Sequence, residues 1–282
     1  MAMYPIDILP SVDYDDLLSA SDNYLSSLKS SRNENHEEFD TLHHTKVAIK
    51  ESNLSRLHMF PDDPSDCTVL ALHPPDDPDN VLALYLHGKW CSVEDATKTT
   101  SKSRAGLVMV ESAMERVILF LLAHVLEKLP AIDRLFSPHP RTEQGKLLWR
   151  DGQAVGFYTF KQKGSLCGSW TAQSYLLPVL DTTLVRRGWR GRGFGLQMLS
   201  EFFSLFPREE VVGISSPLSP SMVAVCKKFL QQHEEQRERL YEVMEAPGGW
   251  EQRRNIWMNI QLGRYSHCTD NEKSFKELSS GK

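Results

Sequence analysis

Hydrophobic positions along this chain follow two different periods, and their order predicts strands in some segments and helices in others. Two short apolar runs of strand type cover residues 67–73 and 81–90 and flank the turn sequence PPDDPDN, which predicts a hairpin. The next run, AGLVMV, fits a strand or the entry to a helix. Apolar residues then recur at helical spacing from Met114 to Leu129, and this stripe predicts an amphipathic helix that Pro130 ends.

The second half of the chain alternates strand and helix patterns. Asp151-Gly152 separates two strand-like runs, and this pair is a strong hairpin signal because a type I′ turn needs positive φ at both central residues. A longer strand-like run, residues 175–185, comes before the helix-like LQMLSEFFSLF and the short strand EVVGISS. Ser219 as N-cap and Pro220 as first residue predict a second helix, and two more strands around Pro-Gly-Gly complete the pattern.

This order of elements predicts an α/β (α+β) domain over about residues 67–265. Residues 1–66 are mixed and polar, so we expect them to form a partly ordered N-terminal extension. Residues 266–282 end in KELSSGK and are expected to form a polar tail. A chain of 282 residues is long enough to bury a sizeable core.

Composition narrows the classes of partner and the compartment. With 40% hydrophobic and 24% charged residues the chain is typical of a soluble globular protein, and its net charge of -5 gives no support to DNA binding. The longest apolar run, VILFLLAHVL, is too short for a bilayer, which needs about 20 residues, so we expect no transmembrane segment. The N-terminus has no signal-peptide pattern, and the five cysteines are widely spaced with no C-x-x-C pair. We therefore expect no metal site and a location in the nucleus or cytoplasm.

The stretch LVRRGWRGRGFGLQML places glycines at alternate positions between a strand pattern and a helix pattern. Such a junction exposes backbone N–H groups at a helix N-terminus, where they and the helix dipole can bind phosphate oxygens. Arg190 and Arg192 can add charge-assisted hydrogen bonds to the same anion. A Walker A motif is excluded because no Lys-Ser/Thr follows, and a Rossmann fingerprint would need glycine where Leu196 stands.

Arg190, Gly193 and Gly195 match the pattern R/Q-x-x-G-x-G/A, which resembles the acyl-coenzyme A loop of the GNAT-type N-acyltransferase superfamily. The resemblance is best over residues 145–262 and includes the DGQAVGFYTF hairpin strand and the helix SPLSPSMVAVCKKFL. It implies a GNAT-like mixed central sheet flanked by helices, with acetyl-coenzyme A (acetyl-CoA) as acyl donor. It also implies a set of coenzyme-binding residues: Thr183, Leu184, Val185, Arg190, Gly191, Arg192, Gly193, Phe194 and Gly195. We expect Trp189 to anchor this turn by packing, with stacking on the adenine of the coenzyme as the alternative.

Acyl transfer to an amine also needs a proton acceptor and a proton donor for the departing thiolate. Asp181 is the candidate base because it lies on the long strand and shares a face with Thr183 and Val185 by alternation. A solvent-facing or capped aspartate is the alternative for Asp181. Aligned with the superfamily helix, Cys226 takes the place of the tyrosine that often donates the proton, and a buried structural cysteine is its alternative.

Over its whole length the chain resembles the family with sequence similarity 169, particularly its shorter B branch. Three stretches carry this resemblance: LLWRDGQAVGFYTFKQKGSLCG, LVRRGWRGRGFGLQML and PGGWEQRRNIWMNIQLGRY. The family includes a longer, soluble, lamin-associated protein of the nuclear envelope, so the resemblance implies a nuclear address. It implies no particular reaction.

Three functions are therefore open at the level of sequence. The first is an N-acetyltransferase that moves acetyl from acetyl-CoA to an unidentified amine, on a protein or a small molecule. The second is a catalytically inactive GNAT-like interaction module associated with the nuclear envelope or lamina. The third, RNA binding through the Arg-Gly run, is disfavoured because the run is short and lies between two amphipathic elements.

Overall fold

The computed structural model of the chain describes residues 3–30, 37–41, 45–60, 67–127, 139–141, 143–166, 174–244 and 253–265. The chain forms two compact units, residues 1–157 and 158–282. Its fold is mixed α+β with a large mixed sheet flanked by helices, which confirms the predicted fold class. The expected boundaries at 66 and 265 stay a prediction.

The helices and strands have the following bounds. The first unit holds α1 (Pro5–Ile8), α2 (Tyr14–Ser30), β1 (Glu38–Asp40), β2 (Lys46–Ala48), β3 (Leu54–His58), β4 (Thr68–Leu72), β5 (Ala83–Leu86), β6 (Lys89–Ser92), α3 (Val93–Ala96), β7 (Gly106–Met109), α4 (Ala113–Leu121) and β8 (Gln144–Arg150). The strand β9 (Gln153–Lys161) is followed in the second unit by β10 (Val179–Val185), α5 (Phe194–Leu205), β11 (Val212–Ser215), α6 (Pro220–Gln232), β12 (Leu240–Val243), β13 (Arg253–Asn255) and α7 (Ile256–Gln261).

A four-stranded antiparallel sheet in the first unit has the order β3-β4-β5-β6. Its central hairpin β4–β5 is the one that the sequence predicts around PPDDPDN. The run 81–90 is not a single strand, however, because His87 and Gly88 both adopt positive φ (45° and 93°) and turn the chain into β6. The helix α2 packs on β4 and β5 and buries Leu17.

The second sheet has seven strands in the order β13-β12-β11-β10-β9-β8-β7. Asp151 (φ 50°) and Gly152 (φ 73°) form the predicted turn between β8 and β9. β10, β11 and β12 run parallel, because the intervening helices α5 and α6 carry the chain back to the same edge. β13 is antiparallel to β12. The parallel strand–helix–strand–helix–strand segment therefore contains the glycine-rich junction.

An aromatic cluster attaches α5 to the sheet. Phe202 is fully buried, and the rings of Phe206, Phe160 and Tyr158 lie 5.3, 6.2 and 6.5 Å from its ring centroid. These distances are typical of favourable aromatic pairs. The cluster fixes the helix whose first turn carries the glycines.

Two helical segments depart from the simplest interpretation of the sequence. The apolar run after Ser112 forms the buried α4 and then a π-helical turn over Leu122–Leu126. The predicted helix end at Leu129 and Pro130 lies outside the described residues. IWMNIQ, part of the second of the two strands predicted around Pro-Gly-Gly, forms α7 because the Asn255 side chain accepts a hydrogen bond from the amide of Met258 at its start. Among the helices that the structure describes, none combines the length and apolarity that crossing a bilayer requires.

The Asp7 side chain in α1 connects the N-terminal residues to the segment after α3. Its carboxylate accepts hydrogen bonds from the Thr99 hydroxyl (2.5 Å), the Thr100 amide (2.7 Å) and the Thr100 hydroxyl (2.9 Å), with Arg104 at 3.5 Å. Burial alone would raise the pKa of Asp7, but the hydrogen bonds from Thr100 and Thr99, with Arg104, lower it below its ordinary 3.8. The folded state therefore favours the charged carboxylate.

We expect Asp7→Asn to destabilise the protein by about 1–3 kcal/mol at pH 7, because the charge-assisted hydrogen bonds are lost. A lowered pKa contributes stability that is complete above the unfolded-state value and is lost as pH falls through the folded-state value. The unfolding free energy of wild type should thus fall more steeply than that of the variant below about pH 5. Urea unfolding at several pH values measures this. Asp76→Asn, at an exposed loop position, is the control, and equal pH profiles for wild type and Asp7→Asn would contradict the assignment.

Candidate functional site

The glycine-rich turn between β10 and α5 has a backbone that ordinary residues do not adopt easily. Gly191 and Gly193 have φ of 76° and 84°, in the left-handed region that favours glycine. Gly193 is the N-cap of α5, and the first helical hydrogen bond runs from the Gln197 amide to its carbonyl (3.0 Å). The segment is therefore a turn that leads into a helix, as the sequence predicts.

Several amides at this turn have no acceptor in the protein. The structure describes residues 174–244 without a gap. Within this range, five backbone N–H groups donate no hydrogen bond to a protein oxygen: those of Gly191, Arg192, Gly193, Gly195 and Leu196. Gly191, Arg192 and Gly193 are exposed and Gly195 and Leu196 are half-buried, so a ligand can approach the turn from solvent. Amides of this kind at a helix N-terminus form an anion-binding site, and the positive end of the helix dipole adds to the attraction.

The arginines of the turn are held by its own backbone. Arg190 Nε donates to the carbonyl of Val185 (2.8 Å), and Arg192 Nη2 donates to the carbonyl of Gly188 (3.2 Å). The Arg192 guanidinium also lies over the Trp189 ring, 4.6 Å from its centroid. Trp189 therefore packs within the turn, in agreement with its predicted role. Arg190 and Arg192 are both exposed residues.

The parallel strands β10 and β11 are paired over only a short distance. Their register joins Val179 to Gly213 and Leu180 to Ile214, whereas β10 continues to Val185. The strand β11 ends at Ser215, one residue after the last register pair, so β10 continues from Thr182 to Val185 with no β11 residue beside it. We call the space beside this part of β10 the gap between β10 and β11. The site therefore combines a gap between parallel strands with unpaired amides at the end of the longer one.

Asp181 lies beside the end of β11. Its Oδ1 accepts hydrogen bonds from Lys161 Nζ (2.9 Å) and from the hydroxyl of Ser215, the last residue of β11 (2.6 Å). The side chains of Lys161 and Asp181 are 22% and 19% exposed, so the pair is mostly shielded but still reachable from solvent. The Thr182 hydroxyl also donates to Asp181 Oδ2 at 3.4 Å, so the carboxylate is capped as in the alternative interpretation, and its role as base stays a prediction.

The remaining residues of the predicted coenzyme set lie along β10. Leu184 is buried, whereas Thr183 and Val185 are half-buried on the same face as Asp181. The Thr183 hydroxyl is itself buried and has no hydrogen-bond partner among the described residues. A buried hydroxyl without a partner costs about 1–3 kcal/mol, so a ligand that pairs with it would be stabilised.

Cys226 occupies the inner face of α6 and is completely buried. Burial, together with the nearby Glu242 carboxylate, raises the pKa of its thiol to about 12. No hydrogen bond among the described residues joins Cys226 to Asp181 or to the turn. Its role as proton donor stays a prediction, and the geometry of the site does not depend on it.

Lys161 and Ser215 belong to the site, although no sequence motif indicates either residue. Both contact Asp181 across strand boundaries, and such contacts depend on the register of β9, β10 and β11. The alternation in FYTFKQK indicates the face of β9 on which Lys161 lies but not which residue of β10 lies opposite. The one sequence signal for Lys161 is that a charged residue ends an otherwise apolar strand.

Similar proteins are found by sequence and by structure. Over 265 residues the chain is 40% identical to Protein FAM169B of Mus musculus, a match that covers 92% of this chain and 78% of the mouse protein. It is 48% identical over 118 residues to Protein FAM169BP of Homo sapiens, covering 40% of this chain and 62% of that protein. No protein-family model matches the sequence. A ribosomal-protein-alanine N-acetyltransferase from Brucella melitensis biovar Abortus 2308 aligns over 44% of this chain and 88% of its own, with 17% identity and a TM-score of 0.29, too low to carry an argument.

Proposed function

This chain belongs to the FAM169B family, and we propose that it binds an acyl-coenzyme A, with acetyl-CoA as donor, and transfers the acyl group to an amine. One observation carries the proposal: five N–H groups without protein acceptors stand at the start of α5, at the open end of the gap between β10 and β11. A ligand that fits both features has an anionic group followed by a narrow polar arm.

The pyrophosphate of coenzyme A matches the turn. Its oxygens would accept hydrogen bonds from the amides of Gly191, Gly193 and Gly195, and glycine permits the close approach that this requires. The exposed guanidinium groups of Arg190 and Arg192 supply positive charge at the same edge. Each charge-assisted hydrogen bond contributes about 1.5–3 kcal/mol.

The pantetheine arm matches the gap. From Asp181 to Val185 β10 spans about 13 Å, at ~3.3 Å per residue, which is comparable to the length of this arm. Peptide-like groups in the arm can pair with main-chain groups of β10 on this side, and the Thr183 hydroxyl supplies a further buried polar partner. The reactive thioester would then lie near Asp181.

Asp181 is the residue that we propose as proton acceptor. An attacking amine forms an N–C bond to the acyl carbon and loses a proton, while the C–S bond breaks and the electron pair leaves on sulfur. The Asp181 carboxylate takes the proton, and the Ser215 hydroxyl, which donates to the same oxygen, fixes its position. The acceptor is an amine whose identity is open.

The proposal predicts that coenzyme binding depends on the backbone of the turn. We expect Gly193→Ala to weaken the binding of acetyl-CoA about 10- to 100-fold, because alanine strains the left-handed conformation and moves the amides out of alignment. Isothermal titration calorimetry of the full chain with acetyl-CoA measures the change.

Two control variants separate this effect from general strain. Gly164→Ala introduces the same kind of strain, since Gly164 has φ of 86° and open space around its missing Cβ, but it lies in another loop. Gly188→Ala is in the turn, without positive φ and without a neighbour within 4 Å. Both should bind like wild type. Absence of binding to wild type, or equal losses in all three variants, would refute the proposed function.

A second candidate function is an acyl-CoA-binding module that does not transfer the acyl group. It is favoured by the contacts of Asp181, whose Oδ1 is already engaged by Lys161 and Ser215, and by the complete burial of Cys226. The association with the nuclear envelope or lamina proposed from sequence would belong to this function. Binding of acetyl-CoA without any release of free coenzyme thiol, with or without amines, would favour it.

A further inference from the structure

The ion pair of Lys161 and Asp181 places an amine of the protein at the closed end of the gap between β10 and β11. We propose that Lys161 is itself an acyl acceptor: the chain acylates its own Lys161 Nζ from the bound acyl-CoA. This inference rests on the proposed function, since it needs the coenzyme to occupy the gap. Lys161 would then be the first amine that the site modifies.

The amine is fixed in position by its neighbours. Lys161 Nζ lies 2.9 Å from Asp181 Oδ1 and 5.3 Å from the centroid of the Tyr175 ring, which is buried. Asp181 Oδ1 also accepts from Ser215, so two donors converge on one carboxylate oxygen. A long side chain held at one place has lost the freedom that normally slows a reaction between two partners.

Lys161, Asp181 and Ser215 lie at the end of the gap where the thioester of a bound acyl-CoA would lie. Asp181 is the first residue of β10 beyond the last register pair with β11, and Ser215 is the last residue of β11. The amine therefore lies near the point where the strands meet. An arm that enters from the glycine turn along β10 ends near this point, and its acyl carbon would face Lys161 before any external amine.

Acyl transfer to Lys161 needs only the bound acyl-CoA, the lysine amine and the Asp181 carboxylate. The Lys161 ammonium first gives one proton to solvent, and neutral Nζ then forms the N–C bond to the acyl carbon. Its second proton passes to the Asp181 carboxylate, the C–S bond breaks, and the sulfur leaves with the electron pair. The thiolate then takes that proton. The products are an Nζ-acyl lysine and free coenzyme thiol, without any oxidant or further reactant.

Acylation would change the charge of the site. An acylated lysine is neutral, so Asp181 would lose the cation that holds its carboxylate. The carboxylate could then turn to the proton of an external amine. On this view the Lys161–Asp181 pair keeps the site inactive until the first acyl group has been transferred.

The chain provides its own reference for this reaction. Lys163 lies two residues further on, pairs with Glu209 at 3.2 Å, and has a 59% exposed side chain against 22% for Lys161. Non-enzymatic acetylation favours the more exposed amine. Modification directed by bound coenzyme favours Lys161, so the ratio of the two separates the mechanisms.

The experiment incubates the full chain with acetyl-CoA, or with acetyl phosphate as a donor that lacks the coenzyme, and quantifies acetylation by peptide mass spectrometry. With acetyl-CoA we expect Lys161 to be modified about tenfold or more over Lys163. With acetyl phosphate the ratio should reverse. Lys161→Arg should lose the main mass increase, and Gly193→Ala should lose the Lys161 signal while the Lys163 background stays.

The outcomes separate the two proposals. If calorimetry shows binding of acetyl-CoA but Lys161 stays unmodified, or is modified no more than Lys163, this inference is wrong and the proposed function stands. If acetyl phosphate alone modifies Lys161 preferentially, the site is merely reactive, and the inference is also wrong. If acetyl-CoA does not bind, both proposals fail.

Discussion

Asp181→Asn is expected to lower acetyl transfer about 100- to 10,000-fold, the usual contribution of a positioned proton acceptor. Asparagine keeps the size of the side chain and can still accept from Lys161 and Ser215, but it cannot take up a proton. The rate is measured as free coenzyme thiol released from acetyl-CoA in the presence of a pool of short synthetic peptides with free amines. Acetylation of Lys161 should fall with it, since both reactions use the same carboxylate.

The control for this variant is Glu209→Gln. Glu209 also pairs with a lysine, Lys163, but lies outside the site, so its replacement should leave the transfer rate within about twofold. Asp181→Asn should still bind acetyl-CoA, because Asp181 contributes no contact to the turn. If Asp181→Asn binds the coenzyme and transfers acetyl at the wild-type rate, another group is the proton acceptor. If neither the wild type nor Asp181→Asn releases coenzyme thiol, the non-catalytic function is the correct one.

Phe202→Ala is expected to have the largest effect on stability, about 3–5 kcal/mol, as for other fully buried phenylalanines. The ring is completely buried, and its loss leaves a cavity between α5 and the sheet as well as removing its contacts with Phe160 and Phe206. Urea unfolding followed by circular dichroism measures the change. Because two-state behaviour is not assured for two compact units, each transition should be fitted separately.

Ser204→Ala is the matched control on the same helix. Its side chain is exposed and bonds only to the Ser200 carbonyl within α5, so the expected change is within about 0.5 kcal/mol. A loss below about 1 kcal/mol for Phe202→Ala would mean that α5 is held by other contacts than this cluster. Weaker acetyl-CoA binding should accompany the loss of stability, because α5 carries the amides of the turn at its first residues.

Much of the fold follows from local sequence signals. Asp151-Gly152, the Ser219–Pro220 helix start and the glycine turn after β10 could be predicted because each is determined by the conformational preferences of a few adjacent residues. The helix α5 was recognisable from its apolar spacing. These are features for which neighbours in sequence are also neighbours in space.

The features that the sequence did not predict have no strong local signal or depend on contacts between residues distant in the chain. The strand-like run 81–90 hides a turn at His87, because a non-glycine residue with positive φ has no strong sequence signature. IWMNIQ has strand-type composition, yet the cap at Asn255 and its packing against α6 and β12 make it helical. The pair of Lys161 and Asp181 joins residues 20 positions apart, and only the register of the sheet brings them together.

The left-handed backbone at Gly191 and Gly193 has a consequence for how this turn can change over generations. Any amino-acid replacement at either position introduces a side chain that the local conformation resists, although its Cβ would have no atom within 4 Å and the core would be untouched. A gene copy that no longer needs the turn would therefore lose these glycines early and keep its core. Intact glycines would then mark the copies in which the turn is still in use.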